Sequence, residues 1–313
     1  MFNLHIDRAI SVYLCHPFSR RLDGWRRPRI PILMYHSIGK GTEGRHPYYE
    51  MNTSPRVFAQ HMKFLRDNGY SSISLGEAAN LLASASPSPA ALSLGRGCPD
   101  GSGRVRGLGK PVVITFDDGY LDFYSHAYPI LCEHGFTATV FVVTGFLKTQ
   151  RSHFNGKECL TLSEVRELHS KGIGIGSHTV THPELKFLKL DQVDNEITES
   201  KKTLEDATGA PVKSFSYPFA FPEADRRFIS CLEKILNKCG YQNGVSTVIG
   251  TAKRGDNRFF LPRLPVNSWD DLRFFRAKLE GGYDWLHGPQ YLIKLAKSLL
   301  PESATARVSP VSN

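Results

Sequence analysis

Short apolar runs alternate with segments of helical periodicity along most of the chain. Each short run predicts a strand, and each longer segment with apolar residues every three or four positions predicts a helix. The predicted strands are residues 30–36, 111–116, 137–143, 173–178, 212–220 and 241–248. The predicted helices are residues 54–70, 122–135, 161–172, 191–209 and 224–240.

This alternation predicts the class of fold. Strands that alternate with helices of this length form βα units, with a mostly parallel sheet and helices on its outside. Two helix ends carry the expected signals, since Thr161 and Glu164 match a capping box and Gly209 follows the last apolar position of its helix. Six or seven such units favour a closed α/β barrel. A doubly wound open sheet is the alternative, because no glycine-rich dinucleotide fingerprint or phosphate loop decides between them.

The same pattern divides the chain into three regions. Residues 30–280 predict one domain, preceded by an N-terminal helix and basic segment (1–29) and followed by a C-terminal helix and tail (281–313). Within the domain, residues 84–110 are rich in serine, proline and glycine. We expect this stretch to be a flexible insertion.

The composition is that of a globular protein. Of 313 residues, 41% are hydrophobic, which is enough to bury a large core. No apolar run approaches the roughly 20 residues of a membrane-spanning helix, and the N-terminal stretch lacks the pattern of a signal peptide. We therefore expect a protein of the cytoplasm or one held peripherally at the inner membrane surface. The six cysteines show no CxxC spacing and are expected to be reduced thiols.

Positive charge is concentrated near the N-terminus. The formal net charge is +9, and residues 20–29 contain five arginines. Because no zinc-finger, RNA-binding or basic-zipper signature accompanies them, we expect no nucleic-acid partner. Four upstream apolar residues share one helical face: Ile6, Ile10, Tyr13 and Leu14. This face and the arginines could contact acidic lipid headgroups, and a helix docked on the domain is the alternative.

Polar motifs follow two of the predicted strands, at the carboxyl ends where parallel α/β folds bind ligands. Asp117 and Asp118 follow the second strand in TFDDGY, and His178 and His182 follow the fourth in SHTVTHP. Two imidazoles and one carboxylate suit Zn²⁺ and leave an open coordination position. With Asp118 as the ligand, Asp117 lies beside that position and could act as a general base. Either motif alone also occurs in turns, caps or solvated helices, so their conjunction carries the prediction.

Together the two motifs resemble those of the polysaccharide deacetylase family, the NodB-homology domain of carbohydrate esterase family 4. The resemblance extends over roughly residues 30–270, judged by the βα pattern. It implies a distorted (β/α) barrel of about seven strands and metal-dependent hydrolysis of N-acetyl groups from an amino-sugar glycan. It also implies that Asp117 is the base and that Asp118, His178 and His182 bind the metal, most simply Zn²⁺.

A third family motif is matched in part by FSYPFA, residues 215–220. The resemblance implies that Tyr217, Pro218 and Phe219 line the substrate groove. The arginine that often precedes this proline in relatives, where it orients the base, is absent here. We therefore expect Arg263 in LPRLPV to substitute for it, with an ordinary ion pair at the barrel rim as the alternative.

Two further aromatic residues belong to the predicted groove. By the resemblance, the backbone N–H of Tyr120 donates a hydrogen bond to the developing oxyanion. Trp269 follows a late apolar segment and is the side chain expected to stack on a sugar ring.

The general acid has two candidates in the sequence. Relatives usually carry a histidine in a late Leu-x-His motif, and only His287 in DWLHG is similar to it. The opening segment ILMYHSIG resembles the poly-N-acetylglucosamine deacetylase-like branch, in which a histidine of the first strand reaches the site. We therefore prefer His36, with an ordinary packed histidine as the alternative for both.

Other functions stay open at this stage. The chain could be a deformylase or deacetylase of a small or lipid-linked sugar precursor. It could also be a carbohydrate-binding relative without activity, because its third motif is altered. A phosphoryl-transfer enzyme with Asp117 as nucleophile would need phosphate-binding elements, which the sequence lacks.

Overall fold

The computed structural model describes residues 6–22, 29–39, 52–84 and 109–299. Three predicted features lie partly or wholly outside these ranges. The insertion predicted at 84–110 falls mostly on residues 85–108, which are outside the described residues. The same holds for residues 23–28 of the basic segment and for the tail from residue 300 onward.

Seven parallel strands form a closed barrel in chain order. They are β1 (Ile32–Tyr35), β2 (Lys110–Phe116), β3 (Thr139–Val142), β4 (Gly174–Ser177), β5 (Ser214–Ser216), β6 (Asn243–Ile249) and β7 (Leu261–Pro265). Each strand pairs in parallel with the next. Strand β7 then pairs with β1, with Leu264 opposite Leu33 and Pro265 opposite Met34. The predicted α/β barrel is therefore confirmed, and the open sheet is wrong.

Shorter strands lie around the barrel. Tyr70–Ser72 pairs with the first residues of β2. Three two-residue ladders join Arg29–Ile30 to Ala252–Lys253, Ser37–Ile38 to Asn52–Thr53, and His153–Phe154 to Lys157–Glu158. The third ladder belongs to a hairpin whose two turn residues, Asn155 and Gly156, both have positive φ, as a tight hairpin turn requires.

Helices connect and surround the strands. The α-helices are Ile6–Ala9, His16–Leu22, Pro55–Asp67, Leu75–Ala83, Tyr128–His134, Leu162–Ser170, Leu190–Thr208, Arg226–Lys238, Leu272–Leu279 and His287–Leu299. Single π-helical segments cover Ile10–Cys15 and Phe123–Ala127, and 3₁₀ turns cover Thr144–Phe146, Leu185–Phe187 and Asp284–Leu286. The capping box at Thr161 and the left-handed Gly209 are both present. Within the described ranges, no helix combines the length and apolar character needed to cross a bilayer.

Alternation along the strands separates two layers of the core. Leu33, Ile114 and Phe215 pack with residues of the surrounding helices such as Phe58 and Ile197. Because side chains of a strand alternate between its faces, the intervening positions point into the barrel. These positions form a second apolar cluster with the helix Leu75–Ala83, and its members from the barrel strands are Ile32, Val113, Phe141, Val245 and Leu261. Toward the carboxyl ends of the strands, polar residues take over these inward positions.

Candidate active site

Three potential metal ligands converge at the carboxyl ends of β2 and β4. Asp118 follows β2 after one intervening residue, and His178 follows β4 directly, with His182 four residues later. Their ligand atoms all lie within 4.8 Å of one another. The Nε2 atoms of His178 and His182 are 3.7 and 3.6 Å from Asp118 Oδ1. The structure thus brings together the three residues that the sequence predicts as ligands.

The donor set and its spacing fit a divalent metal. Ligands at about 2.1 Å in a tetrahedral zinc site are about 3.4 Å apart, close to the distances between the histidine nitrogens and Asp118. His178 Nδ1 lies 2.8 Å from the Ser216 carbonyl oxygen and donates a hydrogen bond to it, which leaves Nε2 as the lone-pair nitrogen that faces Asp118. Burial lowers the pKa of His178 to about 4 and that of His182 to about 3. Both imidazoles are therefore neutral, as metal ligands must be.

The loop that carries both histidines is held by a carboxylate from a neighbouring helix. Glu196 of Leu190–Thr208 accepts hydrogen bonds from the backbone N–H groups of Val180 and Thr181 at 2.8 and 2.9 Å, and from the Thr181 hydroxyl at 2.8 Å. From the other side, the N–H of Gly145 donates to the Val180 carbonyl at 2.7 Å. A Cβ at position 145 would lie 2.6 Å from that oxygen, so the approach requires glycine.

Aromatic rings surround His182. The Phe219 ring is 4.5 Å away and the Phe154 ring of the hairpin 5.3 Å, both measured between ring centroids. The His178 ring lies 4.8 Å away on a third side. Packing against these rings restricts the orientation of the imidazole.

Backbone strain is concentrated around this site. Among the described residues, five non-glycine residues have positive φ: Asp118, Asn155, Thr179, His182 and Phe219. Asp118 and His182 are proposed ligands, and Thr179 lies between the two histidines. Asn155 and Phe219 belong to the segments that carry the aromatic rings beside His182. Left-handed conformations at residues with a Cβ cost energy and cluster at functional sites, where they aim side chains that a relaxed backbone would misdirect.

Asp117 is held by an arginine from the last barrel strand. Arg263 is completely buried and donates to both Asp117 oxygens, from Nη1 to Oδ1 at 2.8 Å and from Nη2 to Oδ2 at 2.7 Å. Ser216 Oγ donates to Oδ1 at 3.2 Å. Burial alone would raise the pKa of Asp117, but Arg263 and then His178 outweigh it and keep this pKa below its usual value. The residue predicted as the base is thus an ionised, firmly oriented carboxylate.

The two candidate acids lie in different places. His36 follows β1 directly, and its Nε2 is 3.8 Å from Asp117 Oδ2. Burial lowers the pKa of His36 to about 4, against the opposing effect of Asp117. His287 starts the last described helix, and its Nε2 is 2.5 Å from Glu223 Oε2. In the described part of the chain, His36 and not His287 contacts the motif residues.

Asp118 and Tyr120 share one buried corner of the site. Burial, followed by the neighbouring Asp117 carboxylate, raises the pKa of Asp118 to about 7, and a hydrogen bond with the Tyr120 side chain opposes this. The Tyr120 ring is buried and stacks on Phe154, with 6.3 Å between ring centroids. Beside the charged Asp117, a negative charge on Asp118 is unfavourable unless a positive charge is close. A cation bound at this position would stabilise the ionised Asp118 carboxylate.

The predicted groove residues differ in their exposure. Phe219 is half exposed beside His182, and Trp269 is half exposed on the loop that follows β7. The Tyr217 side chain instead lies in the core and packs edge-on against Phe221, with 5.0 Å between centroids. Pro218 is buried as well. Both residues directly follow the end of β5 at Ser216, and their contact with substrate stays a prediction.

Several residues that shape the site carry no signal in the sequence. Ser216, Glu196 and Phe154 contact the proposed base, the histidine loop and a proposed ligand, respectively. Each lies in a segment whose local pattern predicts only a strand, a helix or a loop. The one usable clue is that Ser216 lies within FSYPFA, the partly matched third motif.

Comparisons with known proteins agree with this architecture. A sequence profile described as polysaccharide deacetylase matches residues 104–244. The chain is 34% identical over 252 residues to a putative polysaccharide deacetylase, YxkH, of Bacillus subtilis, covering 80% of this chain and 76% of that protein. It is 23% identical over 167 residues to the poly-β-1,6-N-acetyl-D-glucosamine N-deacetylase of Staphylococcus aureus, covering 50% of this chain and 55% of that protein. The solved structure of the Streptococcus pyogenes deacetylase PplD in complex with acetate superposes with a TM-score of 0.63 and 26% identity, covering 81% of this chain and 99% of that chain. The chain belongs to the polysaccharide deacetylase family.

Proposed function

We propose that the chain hydrolyses N-acetyl groups of an amino-sugar glycan with Asp117 as the general base beside a metal held by Asp118, His178 and His182. Deacetylation of an amino-sugar glycan is the activity of its family, and the products are acetate and a free amine on the sugar. The observation that carries the proposed roles is the juxtaposition of an arginine-bound carboxylate with three convergent ligands.

The three ligands would hold a divalent cation, and we propose Zn²⁺ because two imidazoles and one carboxylate are typical of catalytic zinc sites. When bound, this ion supplies Lewis-acid polarisation of the amide carbonyl and a lower pKa of water. His178 is oriented for this purpose by Ser216, and His182 by the surrounding rings.

Asp117 removes the proton from the attacking water. Two hydrogen bonds from Arg263 and one from Ser216 fix its carboxylate, so little reorganisation accompanies proton transfer. Proton transfer by a positioned side chain contributes about 10²–10⁴ in rate. As water adds to the carbonyl carbon, negative charge develops on the carbonyl oxygen, and we assign the backbone N–H of Tyr120 as its donor.

His36 delivers a proton to the departing nitrogen. Its Nε2 lies 3.8 Å from Asp117 Oδ2, so the proton that Asp117 takes from the water can pass to this imidazole, which burial keeps neutral before the reaction, and from there to the nitrogen. Protonation turns the nitrogen into an amine leaving group, the C–N bond breaks, and acetate remains. Half-exposed Phe219 and Trp269 are the rings that we assign to contacts with the sugar.

Acetate release tests this function directly. The purified chain is given N-acetylglucosamine oligomers, and acetate is measured with Zn²⁺, with chelator, and after Zn²⁺ is added back to the chelated protein. We expect release that chelator abolishes and metal restores. A protein that binds metal but releases formate from N-formyl sugars and no acetate would be a deformylase. A metal-bound protein that releases neither acid would be a binding protein, and both outcomes contradict the proposal.

A further inference from the structure

In the N-terminal helical segment, residues 6–22, apolar side chains face the solvent, which is the reverse of an ordinary surface helix. Between residues 6 and 19, every exposed position is apolar or aromatic: Ile6, Ala9, Tyr13, Leu14, Pro17 and Phe18. Four of these large side chains are 58–69% exposed: Ile6, Tyr13, Leu14 and Phe18. They recur at helical spacing and form one stripe, which we call the outer stripe. A surface helix normally turns such a stripe toward the core.

The polar residues between positions 7 and 19 face the domain instead, and each has a partner there. Arg8 donates to the Trp269 carbonyl at 3.2 Å and also pairs with Asp271. His16 Nε2 lies 2.7 Å from Glu280 Oε2. These contacts fix which side of the segment points outward.

Two serines make the same inward contacts. The Trp285 indole donates to Ser11 Oγ at 3.0 Å, and Ser19 Oγ donates to the Glu280 carbonyl at 2.8 Å. Both serines are fully or almost fully buried. The outer stripe is therefore exposed because polar bonds hold the opposite face against the barrel, and rotation of the segment would break them.

We propose that the outer stripe docks on an anionic lipid bilayer. The sequence that follows it carries Arg20, Arg21, Arg26 and Arg27 around Trp25, with Asp23 as the one acidic residue between positions 20 and 27. Aromatic and aliphatic side chains next to clustered arginines are the composition of helices that lie in a membrane interface, where the apolar stripe enters the headgroup region and the arginines meet lipid phosphates. A second protein molecule would use the apolar stripe but gives no reason for the arginines.

The docking surface adjoins the rim of the barrel. Arg8 binds the loop that follows β7, which also carries Trp269. A bilayer contact at the outer stripe would hold this rim near the membrane. This inference goes beyond the proposed deacetylation and does not depend on it.

Co-sedimentation with vesicles tests the proposal. The full chain is mixed with vesicles of phosphatidylcholine alone or with one quarter phosphatidylglycerol. We expect binding to the anionic vesicles, weaker binding to the neutral ones, and a decrease with salt. In Leu14→Glu/Phe18→Glu, binding should fall about tenfold or more for each side chain, because each loses its apolar burial and adds a negative charge.

Matched variants keep the result interpretable. Phe187→Glu changes a 68% exposed phenylalanine outside the segment and should bind vesicles like the unmodified chain. Arg20→Gln/Arg21→Gln should weaken binding to anionic vesicles and leave binding to neutral ones unchanged. Acetate release from soluble oligomers and the melting temperature of Leu14→Glu/Phe18→Glu should match those of the unmodified chain, since its substitutions are at exposed positions.

Three results would overturn the proposal. The first is no binding of the unmodified chain to anionic vesicles. The second is equal binding by Leu14→Glu/Phe18→Glu. The third is a dimer in light scattering that this double variant converts to a monomer, because a second copy of the chain would then be the partner of the outer stripe.

Discussion

Replacing Arg263 with methionine removes the partner of a carboxylate that cannot reach water. Arg263 is fully buried, and Asp117 is only 2% exposed. Besides its two bonds to Asp117, the guanidinium donates to Thr115, Ser216 and the Ser246 carbonyl at 2.9–3.2 Å. Methionine fills most of the space but donates nothing, so the charge of Asp117 loses its compensation.

The expected loss of stability is large for a single substitution. Removing one partner of a buried ion pair costs about 3–5 kcal/mol, because the remaining charge stays desolvated. At about 2–4 °C per kcal/mol, the melting temperature should fall by about 6–20 °C. The partly exposed pair Arg276–Glu280 offers a matched control, since its arginine is 43% exposed and His16 remains beside the glutamate, so Arg276→Met should cost less than about 1 kcal/mol.

Urea and thermal unfolding of four proteins would measure this effect: the unmodified chain, Arg263→Met, Arg276→Met, and the double variant Asp117→Asn/Arg263→Met. All are measured with chelator, so that metal loading does not differ between them. The double variant should be more stable than Arg263→Met, because both charges are gone. The reasoning is refuted if Arg263→Met lies within about 1 kcal/mol of the unmodified chain, or if removing the Asp117 charge restores no stability.

Three further predictions concern the metal site. Asp117→Asn should keep its metal but lose about 10²-fold or more of its acetate release, whereas Asp118→Ala should lose the metal itself; equal metal loss in elemental analysis of both variants would contradict the assigned roles. Glu196→Ala should weaken metal binding about 10–100-fold in chelator competition, because the histidine loop loses three hydrogen bonds, and an unchanged affinity would show that the loop is rigid without them. Gly145→Ala should lower both the melting temperature and the metal affinity, since its Cβ would lie 2.6 Å from the Val180 carbonyl; a variant as stable as the unmodified chain would contradict the tight approach.

The sequence predicts the parts of the fold that depend on local pattern. Six of the seven barrel strands stand out as apolar runs, and the helices between them carry regular periodicity and capping residues. The strand β7 was not predicted, because LPRLP contains two prolines and a charged residue, which are unusual in a central strand. The arginine side chain belongs to the polar layer of the barrel, which a local sequence pattern does not reveal. The pairing of β7 with β1, which closes the barrel, therefore could not be predicted from the sequence.

The candidate site shows the same division. The motifs around Asp117 and His178 are contiguous in sequence, so their residues could be named in advance. The bonds from Ser216 to Asp117 and from Glu196 to the histidine loop join positions that are distant in the chain. The burial of the Tyr217 side chain could not be predicted either, because a motif gives the order of residues but not the direction of each side chain where a strand ends.

Because β7 closes the barrel, its late position in the chain sets the order in which the site can form during synthesis. Arg263 follows Asp117 by 146 residues, so on the ribosome the strand with the carboxylate emerges long before its partner does. An incomplete chain that ends before β7 already contains all three proposed metal ligands, but its proposed base is not yet fixed. Under the proposed roles, the base is therefore fixed only after the last strand has been made.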